Sequence, residues 1–344
     1  MLSIQKCNEK TIRMNNRAVN NDAKSSNTDR KTVDNSTTPL LNVHDLSVSF
    51  TQYTRGLNQK ELKVITNLNV SINHGEILAI VGSSGSGKSL LAHAILGILP
   101  ANVIISGNMD YKGVSLIPKI QAELRGKEIA LIPQSVNFLD PLMKVGKQVR
   151  SSVNNGNATK IQRNIFQRYN LEDKVDHMYP FQLSGGMTRR ILVSTAIANE
   201  AQLIIADEPT PGLDTGIVNE TIRTFRELAD KGCGIMLITH DIETALKIAD
   251  RIAVFYAGTT VEIAPVEDFS GNGNNLRHPY SKALWKALPH NDFRPIMGHQ
   301  PPPNRLPKGC LFAPRCDKAT VECHDILPKA SSLRGGMVRC IHAS

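Results

Sequence analysis
Residues 76–99 read EILAIVGSSGSGKSLLAHAILGIL, and three kinds of chain follow one another within them. The run ILAIVG is apolar throughout and closes on a glycine, as a strand buried on both faces does. LLAHAILGIL then has a helical pattern. Between the two, Gly82, Ser83, Ser84, Gly85, Ser86, Gly87, Lys88 and Ser89 fit the spacing G-x-x-x-x-G-K-S. In that spacing the glycines let the backbone curl so that its N–H groups face phosphate oxygens, and the following helix presents its positive end. Lys88 is placed to reach β- and γ-phosphates, and the Ser89 hydroxyl to ligate Mg²⁺. A merely flexible glycine–serine loop is the competing reading; the strand before and the helix after argue against it.

Further along, residues 203–208 (LIIADE) form an apolar strand ending in two carboxylates. Asp207 stands where a strand tip can hold the magnesium shell, and Glu208, one residue on, can polarise a water in line with a γ-phosphate. Around this pair helices and buried strands alternate: a helix over 189–199, a strand to 207, a helix over 219–231, a strand over 234–240 and a helix over 243–250. Such alternation predicts an α/β fold with a largely parallel sheet. Upstream, residues 40–50 and 62–72 read as antiparallel strands separated by an insertion at 51–61. Residues 135–182 are polar and more helical, with an Asn/Gly interruption at NNGNA.

Leu183-Ser184-Gly185-Gly186-Met187 resembles the signature motif of the ATP-binding-cassette (ABC) family. The rest of that pattern falls in order: Gln134 after the strand IALIP, Asp214 in PGLD, and His240 at the end of GIMLITH. The resemblance covers about residues 40–263. It implies an ABC-type P-loop NTPase with a mostly parallel sheet core, an antiparallel β subdomain, a helical subdomain at about 135–190 and a small cysteine-bearing C-terminal extension. The implied boundaries are a disordered polar tail over 1–38, an ATPase domain over 39–263 and the extension over 264–344. Two cassettes would close head to tail, so that Ser184, Gly185 and Gly186 meet a nucleotide bound to the partner, with Asp214 coupling the two sites. Gln134 would touch Mg²⁺ or the water, and His240 would serve as the switch histidine. Phe50 occupies the adenine-platform position, with Tyr53 as the alternative; either could instead pack in the core.

The C-terminal extension narrows the family. His278-Pro279-Tyr280 and the segment from Gly309 to Cys316 look like those of oligopeptide, dipeptide and nickel importer ATPases. Cys310, Cys316, Cys323 and Cys340 have the spacing C-x₅-C-x₆-C-x₁₆-C, with no short C-x₂₋₄-C hairpin of the kind zinc sites use. Some relatives hold a four-iron four-sulfur cluster on these cysteines, and four thiolates suit one. Zinc and four reduced core thiols remain open. Cys7 and Cys233 fall outside this set, and His278 is read as a helix start rather than a ligand.

Bulk properties fit this picture. Of the 344 residues, 41% are hydrophobic and 21% charged, enough for a sizeable core, and the net charge is +9. No run of about 18 apolar residues occurs, so no membrane span is expected. The expected activity is ATP hydrolysis, and the expected place is peripheral, on the cytoplasmic face of the membrane. The resemblance implies an importer of peptides, nickel or a metal chelate. Its expected partners are two transmembrane permease subunits, a second and different cassette chain, and an extracytoplasmic binding protein, with no nucleic acid. A soluble, non-transport ABC ATPase is the alternative. Its translation-factor form carries two cassettes, its repair form inserts long coiled coils, and its assembly form lacks the cysteine-bearing tail.

Overall fold
A computed structural model describes residues 38–53 and 59–343. The expected polar tail, Cys7 within it and the Tyr53 side chain lie outside the described residues.

The strands are β1 Leu41–Tyr53, β2 Gln59–Ile72, β3 Ile77–Gly82, β4 Val103–Tyr111, β5 Val114–Ser115, β6 Ile129–Ile132, β7 Leu203–Asp207, β8 Gly234–Ile238, β9 Arg251–Tyr256, β10 Thr259–Pro265, β11 Ser331–Leu333 and β12 Gly336–Val338. The helices are α1 Lys88–Leu96, α2 Pro118–Leu124, α3 Val145–Ser151, α4 Ala158–Arg168, α5 Gly185–Ala198, α6 Thr215–Asp230, α7 Ile242–Ile248, α8 Pro279–Lys286 and α9 Val321–Asp325. Two sheets carry them. The smaller is antiparallel, in the order β2-β1-β4-β5, and the larger runs β11-β12-β10-β9-β3-β8-β7-β6.

Strands β9, β3, β8, β7 and β6 pair in parallel and form the centre of the large sheet. Every residue of β3, β7 and β8 is buried, which is why each reads as an unbroken apolar run rather than an alternation. The strand carrying the phosphate loop therefore lies inside the sheet, between β9 and β8. At its end Gly82 pairs with Phe255, and a Cβ on Gly82 would sit 2.3 Å from the Phe255 carbonyl oxygen. Only glycine allows that approach.

Three features differ from the sequence reading or add to it. The described residues of the insertion at 51–61 are strand: Thr51 pairs with Glu61 and Tyr53 with Gln59, so β1 and β2 extend into it from either side. The interruption NNGNA is a junction between α3 and α4, where Asn157 Oδ1 caps α4 by accepting from Lys160 N at 3.0 Å. The chain after residue 264 shares the cassette's sheet, because β12 pairs with β10. Arg277, fully buried, ties that edge together. Its backbone N–H donates to Glu262 Oε1 at 2.7 Å, its Nη1 to Asp268 Oδ2 at 2.7 Å, and its Nε to the Leu333 carbonyl at 2.6 Å. Glu262 is fully buried as well, and the pairing offsets its desolvation.

The helical segment is bolted to the sheet layer by Arg168 of α4. Its guanidinium makes a bidentate pair with Glu227 of α6, at 2.9 and 3.0 Å, and also bonds Glu220.

Candidate active site at the phosphate loop
The loop between β3 and α1 owes its shape to two glycines. Gly85 (φ 76°) and Gly87 (φ 95°) take left-handed backbone conformations, and Gly87 is the N-cap of α1. A Cβ at Gly85 would meet nothing within 4 Å, so the loop's crest is open. Lys88 Nζ donates to the Gly82 carbonyl at 2.8 Å and to the Ser83 carbonyl at 3.0 Å. Burial pulls its pKa down, opposed by the charges of Glu208 and Asp207.

Asp207 ends β7 in a buried position. Burial raises its pKa above the usual carboxylate range, while a hydrogen bond from Ser89 works in the other direction. Its Oδ1 is buried without a partner. Glu208 follows with φ 49°, a left-handed conformation that costs a non-glycine residue about 1 kcal/mol and turns the carboxylate toward β8. There its Oε1 accepts from the His240 backbone N–H at 3.0 Å and lies 2.8 Å from His240 Nδ1, while Oε2 is buried without a partner.

An open cavity of about 400 Å³ brings the two halves together. Phe50 and Val64 of the antiparallel sheet form one wall; Ser84, Gly85, Gly87, Lys88 and Ser89 line the floor; Gln134, Asp207, Glu208 and His240 close the far side. Phe50, partly buried, lines this cavity beside the loop and also packs against the core of the antiparallel sheet. Of the other loop residues, Gly82 is packed under Phe255, Ser86 is buried with its Oγ unpartnered, and Ser83 is exposed.

Ser184, Gly185, Gly186 and Asp214 do not line this cavity. Ser184 is the N-cap of α5, its Oγ accepting from Met187 N at 3.3 Å, and Asp214 caps α6 through Ile217 N at 3.1 Å. Both groups sit at starts of long helices, and a Cβ on Gly186 would lie 3.2 Å from the Gly212 carbonyl, so the two loops adjoin. Sequence reasoning missed Arg189, whose Nη1 donates to the Pro133 carbonyl at 3.1 Å and so anchors the backbone just before Gln134. An arginine on the apolar face of α5 was the available signal. It also missed Val64, which carries no motif.

Two buried carboxylate oxygens without partners, an ammonium group and a glycine-shaped helix start are what a magnesium–nucleotide complex satisfies, and Ser89 with Asp207 fit the metal. The class defined by this site on a parallel sheet is the P-loop nucleotide hydrolases. Residues 65–211 match the ABC transporter family, and residues 261–323 the oligopeptide/dipeptide transporter C-terminal region. The oligopeptide transport ATP-binding protein OppD of Haemophilus influenzae is 34% identical over 319 residues, covering 88% of this chain and 96% of that protein. OppD of Escherichia coli is 33% identical, covering 88% and 92%, and the dipeptide transport ATP-binding protein DppD of H. influenzae is 32% identical, covering 88% and 94%. Among solved structures, an ATP-binding subunit of an ABC transporter superposes with a TM-score of 0.56 at 25% identity, over 67% of this chain and 91% of that one. The dimeric ABC cassette MJ0796 gives 0.57 at 24% identity, over 66% and 98%. The chain belongs to the ABC transporter ATP-binding proteins of the oligopeptide/dipeptide family, and it is an ATPase.

The four C-terminal cysteines are all free. Cys323 is buried, and its carbonyl accepts from Cys310 N at 2.8 Å. Burial raises the thiol pKa values of Cys310, Cys316 and Cys340; Cys323 adds to the rise at Cys310, Cys310 and Cys340 to that at Cys316, and Cys310 and Cys323 to that at Cys340. Among the described residues no three His, Cys, Asp or Glu side chains form a group that could hold a metal ion. His278 is the N-cap of α8, its Nδ1 accepting from Tyr280 N at 3.0 Å.

Proposed function
We propose that this chain hydrolyses ATP to power an importer of oligopeptides or dipeptides, working as one of a pair of cassettes beneath two membrane subunits supplied by an extracytoplasmic binding protein. The supporting observation is the coexistence, in one compact unit over residues 38–344, of the nucleotide site and the segment matching the oligopeptide/dipeptide C-terminal region. The relatives reported above carry peptides in their names, so peptide is the proposed cargo rather than nickel or a metal chelate. The working division is a cassette over 39–263 and an extension over 264–344.

In the proposed mechanism, the loop amides and Lys88 hold the β- and γ-phosphates, and Phe50 stacks on the base. Ser89, Asp207 and Gln134 would hold magnesium, which would neutralise charge on the phosphate oxygens. Glu208 orients and polarises the attacking water through its free Oε2, while His240 fixes Oε1. Ser184, Gly185 and Gly186 lie away from the cavity that their own chain's phosphate loop lines, which suits contact with a nucleotide on the partner cassette, and Asp214 adjoins them to couple the sites. Exposed Leu142 (87%), Phe181 (76%) and Phe138 (54%) lie in the helical segment that follows Gln134, and we assign them to the surface docking the membrane subunits. Among the described residues no helix is long and apolar enough to cross a membrane, and a peripheral position on the cytoplasmic face accords with that.

For the four thiols, the spacing, with no C-x₂₋₄-C pair, suits a four-iron four-sulfur cluster better than a zinc ion, although among the described residues no three of them form a group that could hold a metal. Anaerobically purified protein should be brown with broad visible absorbance; colourless protein with stoichiometric zinc would contradict the cluster. For the transport reading, the test is recovery of the ATP-loaded Glu208→Gln chain from its own membranes, read by mass spectrometry. Two multi-span proteins, a second cassette and a binding protein are expected. Ribosomes or DNA-repair factors in their place would leave the ATPase intact and refute import.

A further inference from the structure
The segment after α8 returns to the phosphate loop. There Gln300 Oε1 accepts from Ser83 Oγ at 2.5 Å and from Ala257 N at 3.3 Å. Ser83 is the first residue inside the loop, and its carbonyl is one of the two oxygens holding Lys88 Nζ. Tyr280 of α8, buried, packs its ring against Tyr256 just before Ala257. A residue of the C-terminal extension therefore grips the residue that shapes the seat of the phosphate-binding lysine.

We propose that Gln300 is a positioning residue for ATP binding: the extension holds Ser83 so that the loop keeps its phosphate-binding form. The grip is itself braced. Arg315 donates from Nε to the Met297 carbonyl at 2.8 Å and from Nη2 to the Ile296 carbonyl at 2.9 Å, which fixes the chain three residues before Gln300. The same guanidinium donates from Nη1 to Tyr256 Oη at 3.2 Å. The Tyr256 ring packs on Tyr280 at 4.5 Å and edge-on to Phe312 at 5.3 Å, and Tyr280 meets Phe312 at 5.3 Å. This aromatic block stands next to the turn at Ala257, where β9 runs beside the end of β3. A loop with glycines at 82, 85 and 87 has wide conformational freedom of its own, and hydrogen bonds from a rigid neighbour reduce the entropy it must lose when a nucleotide binds.

The proposal goes beyond the import reading and rests only on ATP binding by the chain, so its test needs no cargo and can fail independently. MgATP affinity of the full chain is measured by equilibrium binding, and KM and kcat in the assembled transporter. Gln300→Leu keeps the side chain's bulk and removes the acceptor. Roughly a three- to tenfold rise in Kd and KM is expected, with kcat changed by less than about twofold and the thermal midpoint unmoved. Ser83→Ala should lose a similar factor, and the double variant should lose little more than either single one, because both delete the Ser83–Gln300 hydrogen bond. Unchanged affinity in Ser83→Ala would overturn the proposal whatever Gln300→Leu does, including failure to fold. Independent, multiplying losses in the double variant would overturn it too, since Gln300 would then act only on the fold of its own segment.

Discussion
Glu208 and His240 are joined twice: the Glu208 Oε1 atom accepts from the His240 backbone N–H at 3.0 Å and lies 2.8 Å from its ring Nδ1. A carboxylate can only accept, so the ring proton sits on Nδ1, and the second carboxylate oxygen is left free and buried beside the cavity. The pair joins the segments just beyond the ends of two adjacent parallel strands, β7 and β8.

If Oε2 is the atom that polarises water, Glu208→Gln should bind MgATP with near-normal affinity and hydrolyse it about 10²- to 10⁴-fold more slowly. Single-turnover hydrolysis in the assembled transporter measures this. A rate within a fewfold of wild type would show that the proton is taken elsewhere.

His278 should make stability depend on pH. Burial pushes its pKa from 6.5 down to about 3, so the folded chain refuses a proton that the unfolded chain accepts. Its neutral form is no burden above pH 6.5, and stability is lost as pH falls from there toward 3. Between about pH 7 and pH 5 the wild type should lose about 2 kcal/mol more than His278→Asn, which keeps a capping acceptor. Urea unfolding at the two pH values gives the comparison, and equal losses would assign the acid sensitivity to other groups.

Removal of the Arg277 side chain should be among the costliest changes outside the nucleotide site. Arg277→Met leaves Glu262 buried without its charge partner and releases the Leu333 and Arg334 carbonyls of the β11–β12 hairpin. A loss of about 3–5 kcal/mol is expected in chemical denaturation. Hydrogen exchange should rise first in residues 331–338.

Leu142→Asp addresses the docking surface. The side chain is exposed, so folding and MgATP affinity of the isolated chain should be unchanged. Association with the membrane subunits should weaken by about tenfold or more, because an apolar anchor becomes a charge. Co-purification yield from detergent extracts reads this directly.

How much of this was visible in the sequence depended on the range of the interaction. Gly82 to Ser89 is a local motif whose backbone demands are written in adjacent residues, and the apolar runs of β3, β7 and β8 announced a sheet buried on both faces. Phe50 was expected beside the nucleotide from the family pattern, and it lines the cavity from within β1, although Val64 on β2, which also lines it, carries no mark. Strand β10, TTVEIAP, hides its burial behind Glu262, whose cost is met by Arg277, fifteen residues on. Gln300 was illegible for the same reason in stronger form: its partner Ser83 is 217 residues away, and nothing in QPPPN points to a phosphate loop. The insertion at 51–61 looked like a break because its described ends, from Thr51 to Gln52 and from Gln59 to Glu61, are polar and mostly exposed, yet they keep the ladder between β1 and β2.

The central claim, that ATP hydrolysis at this site drives peptide entry, is tested most directly by uptake of a labelled peptide into cells whose only copy of this chain is wild type or Glu208→Gln. Uptake in the wild type and its loss in the variant, with both proteins present at the membrane in equal amounts, is the expected result. Equal uptake in the two strains would contradict the account.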